Sequence, residues 1–244
     1  MAAAFVLHRA DGAPVSTSHR RGAFGQNDPF GRHREIIWEG SDSIAPGRIS
    51  LIGELHVPCF PHIETIVVVE GRLTLEAAGM APLVLGAQDG AVIGAGTTLR
   101  VRAESRALLV FCAAACNGPT KSGLLPLRAD ANFKPSSSLP AELLLSPAPQ
   151  CRSDSVFTDE VAAYSADTWD STPYHRIVRP HRSNQFIYLL AGSVRFPTPD
   201  GSVLSLGTGD ALFVPKGASI GWESNNRVAK FYVSQNVRAP IERD

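Results

Sequence analysis

In "HVPCFPHIE", residues 56–64, four side chains able to ligate a metal fall close together: His56, Cys59, His62 and Glu64. Imidazole, thiolate and carboxylate groups converging on one point could hold a divalent metal ion. Side chains two apart on a strand share a face, so His62 and Glu64 point the same way if the strand has begun by residue 62. Whether His56 and Cys59 join them depends on where that strand starts.

The elements that would position these groups occur twice. Shifted by 121 residues, the chain matches itself without a gap: Ile66 falls on Ile187, Gly71 on Gly192, Leu83 on Leu204, Leu85 on Leu206, Gly86 on Gly207, Asp89 on Asp210 and Gly96 on Gly217. Average composition predicts roughly two such identities over positions 66–96. A shift of about half the length indicates a duplicated domain rather than a solenoid. Each copy consists of short β-rich runs, such as "ETIVVVE" and "RLTLEA" in the first and "QFIYLLA" and "SVRFPT" in the second. Gly, Pro, Asp and Asn turns separate them at the spacing of a sandwich or barrel. Asp89 and Asp210 precede strands in equivalent turns and are expected to accept hydrogen bonds from turn amides. The predicted organisation is an N-terminal arm (1–33), a first β-domain (34–118), a Pro/Ser-rich linker (119–152) with one short helix near residues 141–145, and a second β-domain (153–244).

Bulk properties narrow the function classes. The chain has 244 residues, 44% hydrophobic and 19% charged, with 23 basic and 23 acidic side chains. Zero net charge argues against nucleic-acid or anionic-membrane binding, although His19, Arg20 and Arg21 form a small basic cluster. The longest apolar run, Ala107 to Cys116, is too short to span a bilayer. The N-terminal residues lack a secretory signal pattern, which leads to a cytoplasmic reading. Cys59, Cys112, Cys116 and Cys151 show no Cys-x-x-Cys spacing and are expected as thiols rather than a disulfide framework. No Gly-rich phosphate loop, Gly-x-Ser-x-Gly elbow or zinc-like Cys/His array is present.

"ETIVVVEGRLTL" with "DGAVIGAG", and "QFIYLLAGSVRF" with "GDALFVPKGASIGWES", resemble the two motifs of the cupin fold. "WDSTPYHR" and "GWES…AKFYV" resemble the cupin subfamily that includes ureidoglycine aminohydrolase and the ethanolamine-utilisation Q protein. The resemblance covers about four-fifths of the chain. It implies an all-β bicupin, two tandem RmlC-like jelly-roll barrels, each able to hold a small ligand. It is poor for function, because one fold hosts many activities.

Metal-binding members of this fold use three His and one Glu. Here Glu64 and Gly71 keep the family spacing, but the two preceding His positions fall on Val57 and Cys59, or on Pro58 and Phe60, and the remote His position on Leu99. His56 is one or two residues early, a slip that can turn a side chain to the other face. In the second copy Gln185 stands at the Glu position and Ile220 at the remote His position. The frame therefore points to a bicupin without a metal cofactor; the alternative is a Mn- or Fe-dependent enzyme resembling ureidoglycine aminohydrolase. In the second barrel Arg179, His181, Gln185 and Trp222 are the expected ligand-binding set, offering a planar donor fork, adjustable hydrogen bonds and an apolar wall to a small carboxylate- or amide-bearing metabolite. An Asp170–Arg176 contact is expected to fix the first strand of that barrel. Phe186, Tyr188 and Leu190 alternate along one strand face and would pack either in a homodimer or between the two barrels of one chain.

Overall fold

The computed structural model describes residues 3–15, 19–40, 43–116, 118 and 120–236. Strands dominate it; among the described residues the helices are single 3-10 turns at Gly31–His33 and Ala141–Leu143. The duplication is visible strand by strand. Ile63–Glu70 of the first copy maps onto Asn184–Ala191 of the second at the same 121-residue shift, and Gly90–Gly94 maps onto Ala211–Val214.

The shared glycines have a shared cause. Gly71 and Gly192 both end a strand with positive φ, +82° and +83°. A Cβ on Gly71 would run into the backbone carbonyl of Arg106, and one on Gly192 into that of Arg227, the residue at the equivalent position. Glycine is required twice by the same close approach. The shared aspartates also repeat a contact: Asp89 accepts from the Gly86 amide at 2.8 Å, and Asp210 accepts from the Gly207 amide at 2.9 Å.

Each copy is a jelly roll of facing, twisted layers rather than a closed barrel. The first is a nine-stranded network around Ile44–Val57, Ile63–Glu70 and Leu99–Ala114. The second pairs a seven-stranded sheet, which includes Asn184–Ala191 and Val228–Gln235, with a four-stranded sheet of Tyr174–Pro180, Ser193–Pro197, Val203–Gly207 and Ser219–Ser224.

The central strand of each copy is buried on both faces, which is why it reads as a continuous apolar run. In the first copy Ile66 and Val68 point into the unit's own core, while Ile63 and Val67 point at the other unit. In the second, Ile187 and Leu189 point inward, while Phe186 and Tyr188 join Ile63, Val67 and Val110 in a common inter-unit core, with Leu190 packed at its margin. The alternating stripe thus takes the second of its two expected roles, packing within one chain. The Tyr164 hydroxyl crosses the seam to lie 2.8 Å from Thr65 Oγ1 and 3.1 Å from the Cys112 carbonyl oxygen.

Strands from outside the two repeats complete their sheets. The segment read as an arm supplies Phe5–His8, which pairs antiparallel with Ala211–Val214 and so completes the second unit's sheet. Arg9 fixes it with a 2.9 Å ion pair to Asp210. The segment read as a linker supplies Gly123–Leu127, paired with Gly90–Gly94 in the first unit, and Lys134–Pro135, paired with Cys151–Asp159 in the second. Exposed backbone groups on each sheet edge are satisfied by strands drawn from outside the repeats. The Asp170–Arg176 contact is corrected: Asp170 pairs with Arg152 and Arg227. No helix of the described residues is long and apolar enough to cross a membrane.

Candidate functional site

In the first jelly roll His62, in the bend just before the strand Ile63–Glu70, lies buried on the same side as Glu64. The point they face is filled by a guanidinium. Arg34, wholly buried on the short strand Arg34–Ile36, donates from Nη1 to Glu64 Oε1 and from Nη2 to Glu64 Oε2, both at 2.9 Å. Its other edge grips Asp28: Nε donates to Oδ2 at 2.8 Å and Nη2 to Oδ1 at 2.9 Å. Its plane lies over the Phe111 ring, 4.1 Å from the centroid. Asp28 is completed by the amides of Phe24 and Phe30. His62 Nε2 lies 2.7 Å from Glu64 Oε2, and since a carboxylate only accepts, this nitrogen carries the proton. Burial alone would raise the Glu64 carboxyl, but the Arg34 guanidinium and the His62 hydrogen bond reverse that and hold it below the usual carboxylate range.

His56 and Cys59 are not part of this cluster; both are exposed. His56 sits opposite Arg100 on the solvent face of Ile44–Val57, one residue out of phase with the buried Val57–Leu99 pair. Cys59 follows in the turn after the strand. The drawn set of His56, Cys59, His62 and Glu64 therefore separates into two exposed and two buried groups. Among the described residues no three His, Cys, Asp or Glu side chains converge in a way that could hold a metal ion. The donor set here does not suit one: both Glu64 oxygens are engaged, the position where a remote ligand would come is the buried Leu99, and a fixed positive charge lies between the carboxylates.

The second jelly roll differs because its interior is open. A cavity of about 190 Å³ lies between its two sheets. Its walls are aromatic: Tyr174 stacks on Trp222 at 5.4 Å and 12°, and Trp169 and Phe196 meet the Trp222 ring edge-on. His181, Gln185 and Trp222 of the expected set line it; Arg179 does not, and Arg176 does. The pairing of Tyr174–Pro180 with Ser219–Ser224 slips by one residue between Arg176 and Arg179. Period-two counting back from His181 does not survive that bulge, and Arg176 becomes the inward arginine.

Arg176 Nη2 donates to the Ile220 carbonyl at 3.2 Å and toward His181 Nε2 at 3.4 Å, while its buried Nε has no hydrogen-bond partner. Burial, Arg176, Lys230 and Arg179 together push His181 down to about 3, so it is a neutral acceptor near pH 7. The residue that sequence reasoning missed is Lys230. It is buried, with Nζ 4.5 Å from the Trp169 centroid, 4.9 Å from Trp222 and 5.1 Å from Tyr232. Burial first, then Arg176, push its ammonium down to about 7, against a smaller opposing effect of Cys151. The repeat carried the signal: Lys230 falls on Leu109, an inward core residue of the first copy, so its amine had to point inside.

Among the described residues the cavity wall holds Arg176 and Lys230 and no Asp or Glu. Buried charges are ordinarily paired or neutralised, and no carboxylate among the described lining residues pairs with Arg176 or Lys230. The site is unsuited to a divalent cation, which Arg176 and the ammonium form of Lys230 would repel and for which Gln185 and Ile220 supply no anionic donor.

Comparison with known proteins agrees with the fold. The EutQ-like cupin domain matches residues 159–232. No curated protein matches the sequence. A Pseudomonas syringae pv. tomato protein of unknown function from the DUF861 family shares 36% identity and a TM-score of 0.93, covering 96% of this chain and 100% of that one. Ylba from E. coli, also DUF861, has a TM-score of 0.55 at 11% identity over 95% of this chain and 100% of its own. Streptomyces albus HEPD, with 2-hydroxyethylphosphonate and Fe(II) bound, has a TM-score of 0.56 at 10% identity, over 98% of this chain and 77% of its own. The last two likenesses speak for the fold alone. With two jelly rolls in tandem, a EutQ-like cupin match in the second and a relative aligned end to end at 36% identity, the chain belongs to the DUF861 family of cupins.

Proposed function

We propose that this protein binds a small carboxylate-bearing metabolite in its second jelly roll, without a metal ion. The observation that carries the reading is the cavity of about 190 Å³ whose wall, among the described residues, holds Arg176 and Lys230 and no acidic side chain. An entering carboxylate would supply the missing counter-charge, taking charge-assisted hydrogen bonds from the Arg176 fork and from Lys230. Neutral His181 and the Gln185 amide would complete its polar contacts, and Trp222 and Tyr174 would pack on its apolar part. The volume lies below the range of about 300–1,000 Å³ typical of drug-sized sites, which favours a ligand of few heavy atoms.

The first jelly roll has a supporting role in this reading. Its interior is packed by the Arg34–Glu64–Asp28 cluster and a continuous apolar core. The metal-dependent alternative draws on the resemblance to ureidoglycine aminohydrolase and on a distant fold likeness to an Fe(II)-bound protein, and the donor sets of both units run against it.

A thermal-shift screen of small carboxylates and amides tests the proposal. A ligand at a hundred times its dissociation constant stabilises by about 2.7 kcal/mol, or roughly 5–10 °C in a chain of this size. The expected result is a rise with one or more carboxylates that disappears in Arg176→Met. A panel of carboxylates that leaves the melting temperature unmoved would sink it.

A further inference from the structure

We infer that Lys230 is a covalent ligand-capture residue: its Nζ condenses with the carbonyl group of a small 2-oxo acid whose carboxylate is held by Arg176. The inference deepens the anion-binding reading and rests on it for the placement of the carboxylate.

Position comes first. Lys230 lies on Val228–Gln235, in the seven-stranded sheet, and its side chain points into the cavity. Arg176 lies on the opposing four-stranded sheet, where its cross-strand partner is Trp222. Lys230 Nζ is 4.9 Å from that same Trp222 ring. Amine and guanidinium thus face one small space across a single indole. A 2-oxo acid carries a carboxylate and an adjacent carbonyl, which matches a guanidinium and an amine arranged this way.

The choice of residue is the second observation. The chain contains four lysines, Lys121, Lys134, Lys216 and Lys230, against nineteen arginines. Its wholly buried ion-pair cluster is built on an arginine, Arg34. The inward position of the second unit takes a lysine, which can lose its proton where arginine cannot. Among the described residues no carboxylate pairs with Lys230; its recorded partners are the three aromatic rings. Among the described residues, the charged or titratable groups that share its cavity wall are Arg176, His181, Cys151, Tyr174 and Tyr232. Of these, Arg176 and the loss of water favour the neutral amine, and Cys151 acts the other way. A desolvated lysine beside another cation is one of the ways a protein makes an amine nucleophilic near neutral pH.

The step balances without an oxidant or reductant. The Nζ lone pair adds to the carbonyl carbon, and the former carbonyl π pair becomes the oxygen's lone pair. Two protons leave nitrogen, that oxygen departs as water, and a C=N bond replaces C=O. His181 lines the same cavity wall.

The test uses the full chain with pyruvate, 2-oxobutyrate and 2-oxoglutarate, each treated with sodium borohydride, which reduces an imine to a stable secondary amine. Intact mass should increase by one reduced oxo acid, and peptide mapping should place it on Lys230 rather than on Lys121, Lys134 or Lys216. The yield should rise with pH through about 7. Lys230→Arg should abolish the adduct, and mapping of the unaltered protein gives the same answer if that variant fails to fold. No adduct with any of the three, or one spread over the other lysines, overturns the inference. Thermal shifts measured in parallel separate the two readings. Stabilisation by an oxo acid without an adduct rejects the imine and keeps the anion site. Failure of every carboxylate, propionate included, to stabilise rejects both.

Discussion

Arg34 and Glu64 are joined by two parallel hydrogen bonds of 2.9 Å, both side chains fully buried, at the place where the cupin frame would put a metal and its carboxylate ligand. A guanidinium from a strand thirty residues earlier serves as the cation. It brings its own second carboxylate, Asp28, so the interior remains charged but paired. Removing one member of a buried pair strands the other and typically costs about 3–5 kcal/mol. Arg34→Leu is expected to fall in that range by urea denaturation, because it leaves two buried carboxylates facing each other. A loss below about 1 kcal/mol would show that the cluster contributes little.

The same cluster sets an acid limit. The Glu64 carboxyl is held below its ordinary value in the folded state. A depressed folded pKa gives stability that is present above the unfolded value of about 4.5 and is lost as pH falls through the folded one. Below pH 4.5, Glu64→Gln should therefore lose stability less steeply than the wild type, although it is weaker at pH 7. Parallel acid titrations of the two proteins would contradict this.

Lys230 acts in the opposite pH range. Its folded value of about 7 lies below the unfolded value of 10.5, so between these limits the unfolded chain binds more protons and stability rises with pH. Below pH 7 the buried ammonium is a constant penalty. Lys230→Met should be more stable than the wild type at pH 6, with the advantage shrinking between pH 7 and 10. Melting curves at four or five pH values are sufficient, and a constant difference would argue that the amine is unperturbed.

Within the cavity, the two arginines should separate. Arg176→Met removes a charge-assisted contact worth about 1.5–3 kcal/mol, a loss of roughly 10- to 150-fold in carboxylate affinity. Arg179→Ala, outside the cavity wall, should change affinity by less than about threefold through long-range charge alone. Calorimetric titration with whichever carboxylate stabilises the protein measures both. Equal losses would restore Arg179 to the binding set.

Metal analysis offers a further expectation. Protein purified without chelator should carry far less than one equivalent of Mn or Fe, and EDTA should leave its melting temperature and carboxylate binding unchanged. Stoichiometric metal that Glu64→Gln or Gln185→Ala releases would reverse the reading of both donor sets.

The fold was legible because the duplication writes each structural constraint twice. Gly71 and Gly192 meet equivalent carbonyls, and Asp89 and Asp210 cap equivalent turns. What could not be read were contacts with no partner in the repeat. Arg34 and Asp28 lie before the first duplicated strand, and nothing in their spacing connects them with Glu64. Arg176 was hidden by a bulge that breaks period two. Lys230 was legible in principle, since it stands at the equivalent of the core residue Leu109, but it lies outside the family's ligand positions.

The strand at Phe5–His8 has a consequence for the chain's history. It is made well before its partner, Ala211–Val214, with Phe5 opposite Phe213 across 208 positions of sequence. At about 5–20 residues per second, a ribosome needs roughly 10–40 s to deliver that partner. For that interval the first jelly roll can assemble behind a leading segment that has nowhere to dock, and the face holding Ile63 and Val67 has no opposite wall. A strand synthesised long before its partner is among the last to be placed, so a nascent chain halted midway is a half-clad sheet with a loose thread.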